Sequence, residues 1–269
     1  MRREAIAPGL GVVAVPTPTL PPATTTNAVV LGAREVAVVD PASPWPEAQE
    51  ALTAALADVT VTAILLTHHH LDHVSGAEDL RRRTGAPIYA HPATAARLDF
   101  DVQGLLEEGA VWTTDAGAWQ ALHTPGHASG HLIFWEASQR LVVAGDLVAG
   151  EGTIVLDPPE GDLERYLQSL ERLAALGARL GVPAHGPVLT EPADLARAYI
   201  AHRHARTAQV RAALGAAGVA SPEALVPTIY PGLSPFIAQV AARQVLAHLQ
   251  WLQGRGEVRP VDAERFELI

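Results

Sequence analysis

At 269 residues, with 48% hydrophobic residues and 22 glycines, the chain can bury the core of one large domain, or of one domain with a small appendage, and is too apolar to be disordered. Its formal net charge of −10, with arginine supplying all 19 cations, argues against tight non-specific binding to nucleic acid. The absence of cysteine excludes disulfides, thiolate metal sites and cysteine nucleophiles, so any metal must be held by His, Asp or Glu.

Gly11–Val15, Asn27–Leu31 and Glu35–Asp40 read as strands, with Gly32-Ala33-Arg34 suited to a hairpin between the last two. Trp45–Leu56 has helical spacing, with Ser43 as its N-cap and Pro44 in the first turn. The β-branched run Val59–Leu66 is a strand leading straight into a histidine-rich segment, and Ser75–Arg83 a helix closed by Gly85. Pro87–Ala90, Trp119–His123, Leu132–Trp135, Leu141–Ala144 and Gly181–Ala184 read as strands, and Asp162–Leu176 as an amphipathic helix. From about Pro192 the chain turns helical: Asp194–Leu214, a shorter helix capped by Ser221 and running to Val226, and Ser234–Gln253. Two short extended pieces around Pro260 and Asp262 suggest a closing hairpin. That outline fits a winged-helix module and equally a helical cap packed on the main domain.

No apolar run approaches the ~20 residues of a transmembrane helix, so no membrane partner is expected. The start, Met1-Arg2-Arg3-Glu4 followed by Pro8, Gly9 and Gly11, lacks a leader's apolar core, and a cytoplasmic chain is expected.

The chemistry concentrates in Thr67-His68-His69-His70-Leu71-Asp72-His73, of the form H-x-H-x-D-H. Such density of imidazole and carboxylate exceeds what a solvated loop needs. His68, His70 and His73 cannot all face one way on a regular helix or strand, so an irregular loop is expected. His127, Asp146 and His185 each follow a strand in the same way, and glycine precedes the first two, as a tight ligand turn requires. Together His68, His70, Asp72, His73, His127, Asp146 and His185 read as one dinuclear metal site at the carboxyl ends of strands.

The strings Thr67–His73, His123-Thr124-Pro125-Gly126-His127, Gly145-Asp146 and Ala184-His185-Gly186 resemble the metallo-β-lactamase superfamily, in family order, over roughly residues 12 to 190. The resemblance implies an α/β fold, an αββα sandwich of two facing sheets with helices outside. It implies two divalent metal ions, with zinc expected first and manganese or iron admitted by the same donors. His68, His70 and His127 would hold one and Asp72, His73 and His185 the other, with Asp146 and a hydroxide bridging them. His69 occupies a variable position; His123 and His131 are structural by default, with support of a ligand as the other reading. The last ligand lacks the Cys-Gly-His-Glu-Tyr surroundings of the glyoxalase II branch. Gly145-Asp146-Leu147 with Gly150-Glu151-Gly152-Thr153, His185-Gly186-Pro187-Val188 and Tyr199-Ile200-Ala201-His202-Arg203 are similar to the lactamase-like endoribonuclease subgroup. That likeness implies a catalytic domain over residues 1–190 and a winged-helix-like domain over 191–269.

A dinuclear-metal hydrolase cleaving phosphodiesters of single-stranded RNA is the first functional expectation, with Asp72 and Asp146 catalytic. Hydrolysis of small thioesters, esters or lactones is the alternative. RNA would need cations near the metals, for which Arg81–Arg83 and the helix bearing His202, Arg203, His204, Arg206 and Arg211 are candidates. An apolar pocket would favour the small-molecule reading. The segment beyond Thr190 holds eight arginines against seven acids, too balanced for a strongly basic reader, and self-association through it is the other partner expectation. The complete donor set argues against a degenerate, non-enzymatic binding module.

Overall fold

The computed structural model describes all of residues 1–269. The chain lays down β1 (Glu4–Ala7), β2 (Leu10–Pro16), β3 (Thr25–Leu31), β4 (Glu35–Val39), α1 (Pro46–Ala55), β5 (Thr60–Leu65), the single turn α2 (Leu71–Val74), α3 (Ala77–Thr84), β6 (Ile88–Ala90), α4 (Pro92–Ala95) and β7 (Gly104–Leu105). These strands form one sheet in sequence order, antiparallel from β1 to β4 and parallel from β4 to β7. A second sheet follows from β8 (Val111–Thr114), β9 (Gly117–His123), β10 (Leu132–Glu136) and β11 (Leu141–Gly145). After α5 (Leu163–Leu176), β12 (Leu180–Pro183) returns parallel to β11, giving the order β12-β11-β10-β9-β8.

The central strands of both sheets, β3 and β4 in one and β10 and β11 in the other, are buried on both faces and so read as nearly continuous apolar runs. In β3, Val29 and Leu31 point into the layer between the sheets, where they meet Trp119, Leu132, Phe134 and Val143 of the second sheet. Ala28 and Val30, on the opposite face, belong to the layer that includes Leu52 of α1 and Leu80 of α3. The outer face of the second sheet, with Leu122, Ile133 and Val142, packs with Tyr166, Leu170 and Leu173 of α5. The result is the expected αββα sandwich.

The rest of the chain is α6 (Pro192–Ala217), β13 (Val219–Ala220), α7 (Pro222–Ile229), α8 (Pro235–Gly254), β14 (Val258–Pro260) and β15 (Phe266–Leu268). The last three-stranded sheet, ordered β13-β15-β14 and antiparallel, is the wing beside three helices. Val210, Leu214, Leu225, Val245, Leu249 and Phe266 give this region its own core. α6 straddles both bodies, because Ala196 packs into the α5 layer while Val210 and Leu214 lie in the C-terminal core. No helix is long and apolar enough to cross a membrane.

Several local expectations are corrected. α1 starts at Pro46 with Trp45 as N-cap, and Ser43 Oγ only accepts a bond from the Trp45 amide. Asp162 caps α5 through the Arg165 amide and Ser221 caps α7 through the Ala224 amide. β1, β7, β8 and β13 escaped the sequence reading; all are short and lie at or beside the sheet margins, where pairing to a neighbour rather than an apolar period defines them.

Candidate metal centre

The site lies where strands of both sheets end. β5 runs into the loop Leu66–His70, which bears His68 and His70, and α2 then presents Asp72 and His73 on one turn. The histidine segment is therefore part loop and part helix. β9 leads to the turn before His127, β11 ends at Gly145 just before Asp146, and β12 delivers His185. Gly126 has φ +130°, and a Cβ there would sit 2.3 Å from the Tyr166 amide nitrogen; Gly145 has φ +51°, and a Cβ there would meet His131 Nε2 at 2.6 Å. Only glycine lets the backbone turn that closely at these two positions.

The structure brings all seven side chains together. His68 Nε2, His70 Nδ1 and His127 Nε2 form a triangle with edges of 2.9, 3.0 and 3.2 Å. Nitrogens bound at 2.0–2.1 Å around one tetrahedral zinc would lie about 3.3 Å apart. Beside this triangle, His185 Nε2 is 3.5 Å from Asp72 Oδ2, and His73 Nε2 is 3.9 Å from Asp72 Oδ1. Asp146 stands between the two groups. Its Oδ2 is 3.5 Å from His127 Nε2 on one side and from His73 Nε2 on the other, and its Oδ1 is 3.5 Å from His185 Nε2.

The outer hydrogen bonds fix which ring nitrogen carries the proton. His127 Nδ1–H donates to the Val155 carbonyl (2.7 Å) and His185 Nδ1–H to the Thr25 carbonyl (3.0 Å); a carbonyl can only accept. His73 Nδ1–H donates to Asp40 Oδ2 (2.8 Å). The Thr67 hydroxyl donates to the same carboxylate (2.6 Å), which leaves its oxygen free to accept from His68 Nδ1–H (3.0 Å). Four histidines thus use Nδ1 for these outer bonds and turn Nε2 toward the centre. His73 Nε2 and Asp146 Oδ1 are buried with no hydrogen-bond partner, a costly arrangement that a cation between them relieves.

Charge tells the same story. Burial pushes His68 well below the ordinary imidazole range and His70 down to about 3, with the neighbouring histidines adding to the effect. Burial also opposes charge on His185, but Asp146 and Asp72 outweigh it and raise that ring to about 10. The same burial is overcome at His73 by Asp146, Asp72 and Asp40, which raise it well above its ordinary value. One half of the centre rejects protons and the other, with its two carboxylates, calls for positive charge. Five imidazoles and two carboxylates in this arrangement fit two divalent cations, and the donor types suit zinc, manganese or iron.

Asp40 escaped the sequence reading. It is 2% exposed, with φ +50°, and accepts from the Thr67 amide, the Thr67 hydroxyl and His73. Its signal was an acid closing the all-apolar β4, where no solvent awaits it. Thr19 was also missed: its hydroxyl donates to Asp72 Oδ2 at 2.6 Å. His131 does support a candidate ligand: its Nε2 accepts from the Asp146 amide (3.0 Å), while its Nδ1–H faces Thr124 Oγ1 (2.8 Å). His69 turns away to Glu160 (3.2 Å), and His123 stacks on His91 with ring centroids 4.2 Å apart.

The proposed phosphate-binding arginines are placed elsewhere. Arg82 and Arg83 pair with Asp79 on α3, and Arg81–Arg83 are absent from the lining of the cleft over the centre. Arg211 pairs with Glu257, and Arg203 is 4% exposed. The basic face expected on α6 is thus broken up by burial and pairing. The cleft itself, about 650 Å3, carries no arginine; Glu151, Asp157 and Glu160 line it with apolar Leu20, Ile154 and Val240.

The C-terminal region reaches this centre through Ile237 and Val240 of α8, which line the cleft, and through a strap. Three successive carbonyls of residues 154–156 are gripped in turn: Ile154 by Arg203 Nη2 of α6, Val155 by His127, and Leu156 by Gln244 Nε2 of α8 (3.2 Å).

An αββα sandwich with this donor set at the ends of its strands defines a class of proteins built around metal-binding His/Asp clusters. A profile for the metallo-beta-lactamase superfamily matches residues 21–185, and one for the beta-lactamase associated winged helix domain matches residues 221–265. The chain belongs to the metallo-β-lactamase superfamily, whose members typically bind two divalent metals, and carries a C-terminal winged helix. A metallo-beta-lactamase family protein from Thermus thermophilus is 28% identical, with a TM-score of 0.82 over 98% of this chain and 100% of that one. A protein solved in a di-iron-bound form is 30% identical, with a TM-score of 0.56 over 68% of this chain and 96% of its own. An atrochrysone carboxyl ACP thioesterase from Aspergillus fumigatus is 31% identical over 198 residues, 70% of this chain and 59% of that protein. The chain spans about half the length of the curated relatives it matches.

Proposed function

We propose that this protein is a hydrolase of acyl thioesters. The observation that carries the reading is the cleft lining: acidic and apolar side chains face the candidate metal centre, with no arginine among them. An RNA backbone would meet the carboxylate of Glu151 there, and the arginines nearest the cleft, Arg243 and Arg97, are already paired with Asp157 and Glu160, whereas a neutral thioester needs no free cation. The thioesterase named among the relatives supports the same class of substrate.

His68, His70 and His127 would hold one metal and Asp72, His73 and His185 the other, with Asp146 facing both. When bound, such a pair lowers the pKa of water to near 7 and polarises a carbonyl oxygen. Asp146, fixed through its amide by His131, keeps the two halves in register. Burial works against charge on Asp72, yet His73, His185 and the Thr19 hydroxyl hold its carboxyl well below the usual range. It is therefore ionised at neutral pH, the form in which a carboxylate holds a metal. Water adds to the thioester carbonyl, the carbon–sulfur bond breaks, and the proton passes to the departing thiolate, leaving a carboxylic acid and a thiol.

The test is thiol release from an acyl-N-acetylcysteamine thioester by protein loaded with zinc, manganese or iron, beside the Asp72→Ala/His73→Ala variant and a labelled single-stranded RNA. Turnover of the thioester that disappears in the variant is expected. RNA cleavage with no thiol release would overturn the reading.

A further inference from the structure

A second cavity of about 510 Å3 lies against the first. The two share the wall made by Gly152, Thr153, Val155, Ile237 and Val240, so the strap that positions His127 and the start of α8 separate and join them at once. Its remaining lining is mainly apolar and comes from the C-terminal helices, with Leu195 and Ala198 on α6, Leu233 before α8 and Ala241 on α8.

Two arginines stand in this apolar wall, Arg203 and Arg206. Every other arginine beyond residue 190 has a carboxylate within 4.0 Å; these two have none. Arg203 is 4% exposed and bonds only neutral oxygens, Gln244 Oε1 (2.9 Å) and the Ile154 carbonyl. Arg206 donates to the Ile229 carbonyl (3.1 Å) and lies over the Tyr230 ring at 4.0 Å. The Nε–H of each is buried without a partner. A guanidinium removed from water without a counter-ion is costly, and an anion entering the cavity offsets that cost.

We infer that the second cavity holds the acyl group of the substrate, and that this acyl chain is apolar along its length and ends in a carboxylate or similarly acidic group facing Arg206 and Arg203. The inference rests on the thioester reading and names the class of acyl group. The reacting carbonyl stays in the first cleft while the chain passes the shared wall. Apolar carbons are buried among Leu195, Ala198 and Ala241, and the terminal anion receives the charge-assisted bonds that no protein carboxylate supplies.

Two eight-carbon thioesters of N-acetylcysteamine separate the alternatives: octanoyl, ending in a methyl group, and suberoyl, ending in a carboxylate. For the metal-loaded protein kcat/KM is expected to favour suberoyl by about tenfold or more, the size of a charged hydrogen bond made in a buried site. In Arg206→Gln that ratio falls toward one, and in Arg206→Lys part of it returns. In Ala198→Phe, which fills the cavity rather than removing a charge, the ratio of octanoyl to acetyl thioester falls by about tenfold. A ratio near one in the natural protein, or one unchanged in Arg206→Gln, overturns the inference. If no thioester is cleaved at all, the activity reading fails by itself, and calorimetry with free suberate and octanoate decides the cavity. Suberate binding that exceeds octanoate binding and is lost in Arg206→Gln upholds it; equal binding overturns it.

Discussion

Asp40→Asn tests whether the candidate centre depends on a residue outside its donor set. Asparagine has nearly the same shape and tolerates the φ of +50° found at this position, so the backbone is kept. What changes is the hydrogen bonding. The Asp40 carboxylate accepts from the Thr67 amide (2.8 Å), the Thr67 hydroxyl (2.6 Å) and His73 Nδ1–H (2.8 Å). If the amide oxygen keeps the Thr67 amide, its NH2 group faces two donors. The hydroxyl can rotate, but then it no longer accepts cleanly from His68 Nδ1–H; His73 can relieve the clash only by moving its proton to Nε2, the atom turned toward the centre. A buried donor left unsatisfied costs about 1–3 kcal/mol, and loss of a hydrogen-bond partner behind a metal-binding histidine typically costs 10–100-fold in metal affinity. Competition against a chelator at pH 7, with metal per chain read by atomic emission, and urea unfolding of the metal-free protein measure the two effects. Metal affinity within twofold of the natural protein, with stability also unchanged, would refute the claim that Asp40 sets the tautomers of His73 and His68.

Two more predictions follow from the same reasoning. Gly126→Ala must place a methyl group 2.3 Å from the Tyr166 amide nitrogen at φ +130°, so a loss above about 3 kcal/mol in urea unfolding and a displaced His127 are expected; a loss under about 0.5 kcal/mol would show that the turn relaxes freely. His248, buried on α8 with its Nδ1–H facing Thr207 Oγ1 (2.7 Å), is pushed down to about 3 by burial and then by Arg203 and Arg206. Because its folded value is depressed, this contribution is complete above the ordinary value near 6.5 and is lost as pH falls toward about 3. The slope is about 1.4 kcal/mol per pH unit, or about 2 kcal/mol between pH 6.5 and 5. His248→Asn should flatten that part of the acid unfolding curve, and an unchanged curve would refute the assignment.

The sandwich was legible in the sequence because the central strands of both sheets are buried on both faces. That makes β3, β4, β10 and β11 read as apolar strands whatever lies beside them, while Gly85, Asp162 and Ser221 mark helix ends by local bonding alone. The candidate ligands were legible for a related reason: His, Asp and Gly at strand ends have chemistry that no apolar core requires. Self-contained signals of that kind are one-dimensional. Asp40, Thr19 and His131 matter through atoms 33, 53 and 15 residues away in sequence, and no local pattern carries such partners. The arginines of α6 show the limit most plainly. By spacing they formed a surface strip fit for a phosphate backbone; folding puts Arg203 inside, ties Arg211 to Glu257, and leaves the cleft acidic and apolar. Sequence by itself determined which groups could hold metal and the layers that carry them. Only the tertiary structure decided which lone pairs face inward, which charges remain unpaired and what a substrate would meet, because those depend on distance and burial, which are set by packing between segments far apart in the chain.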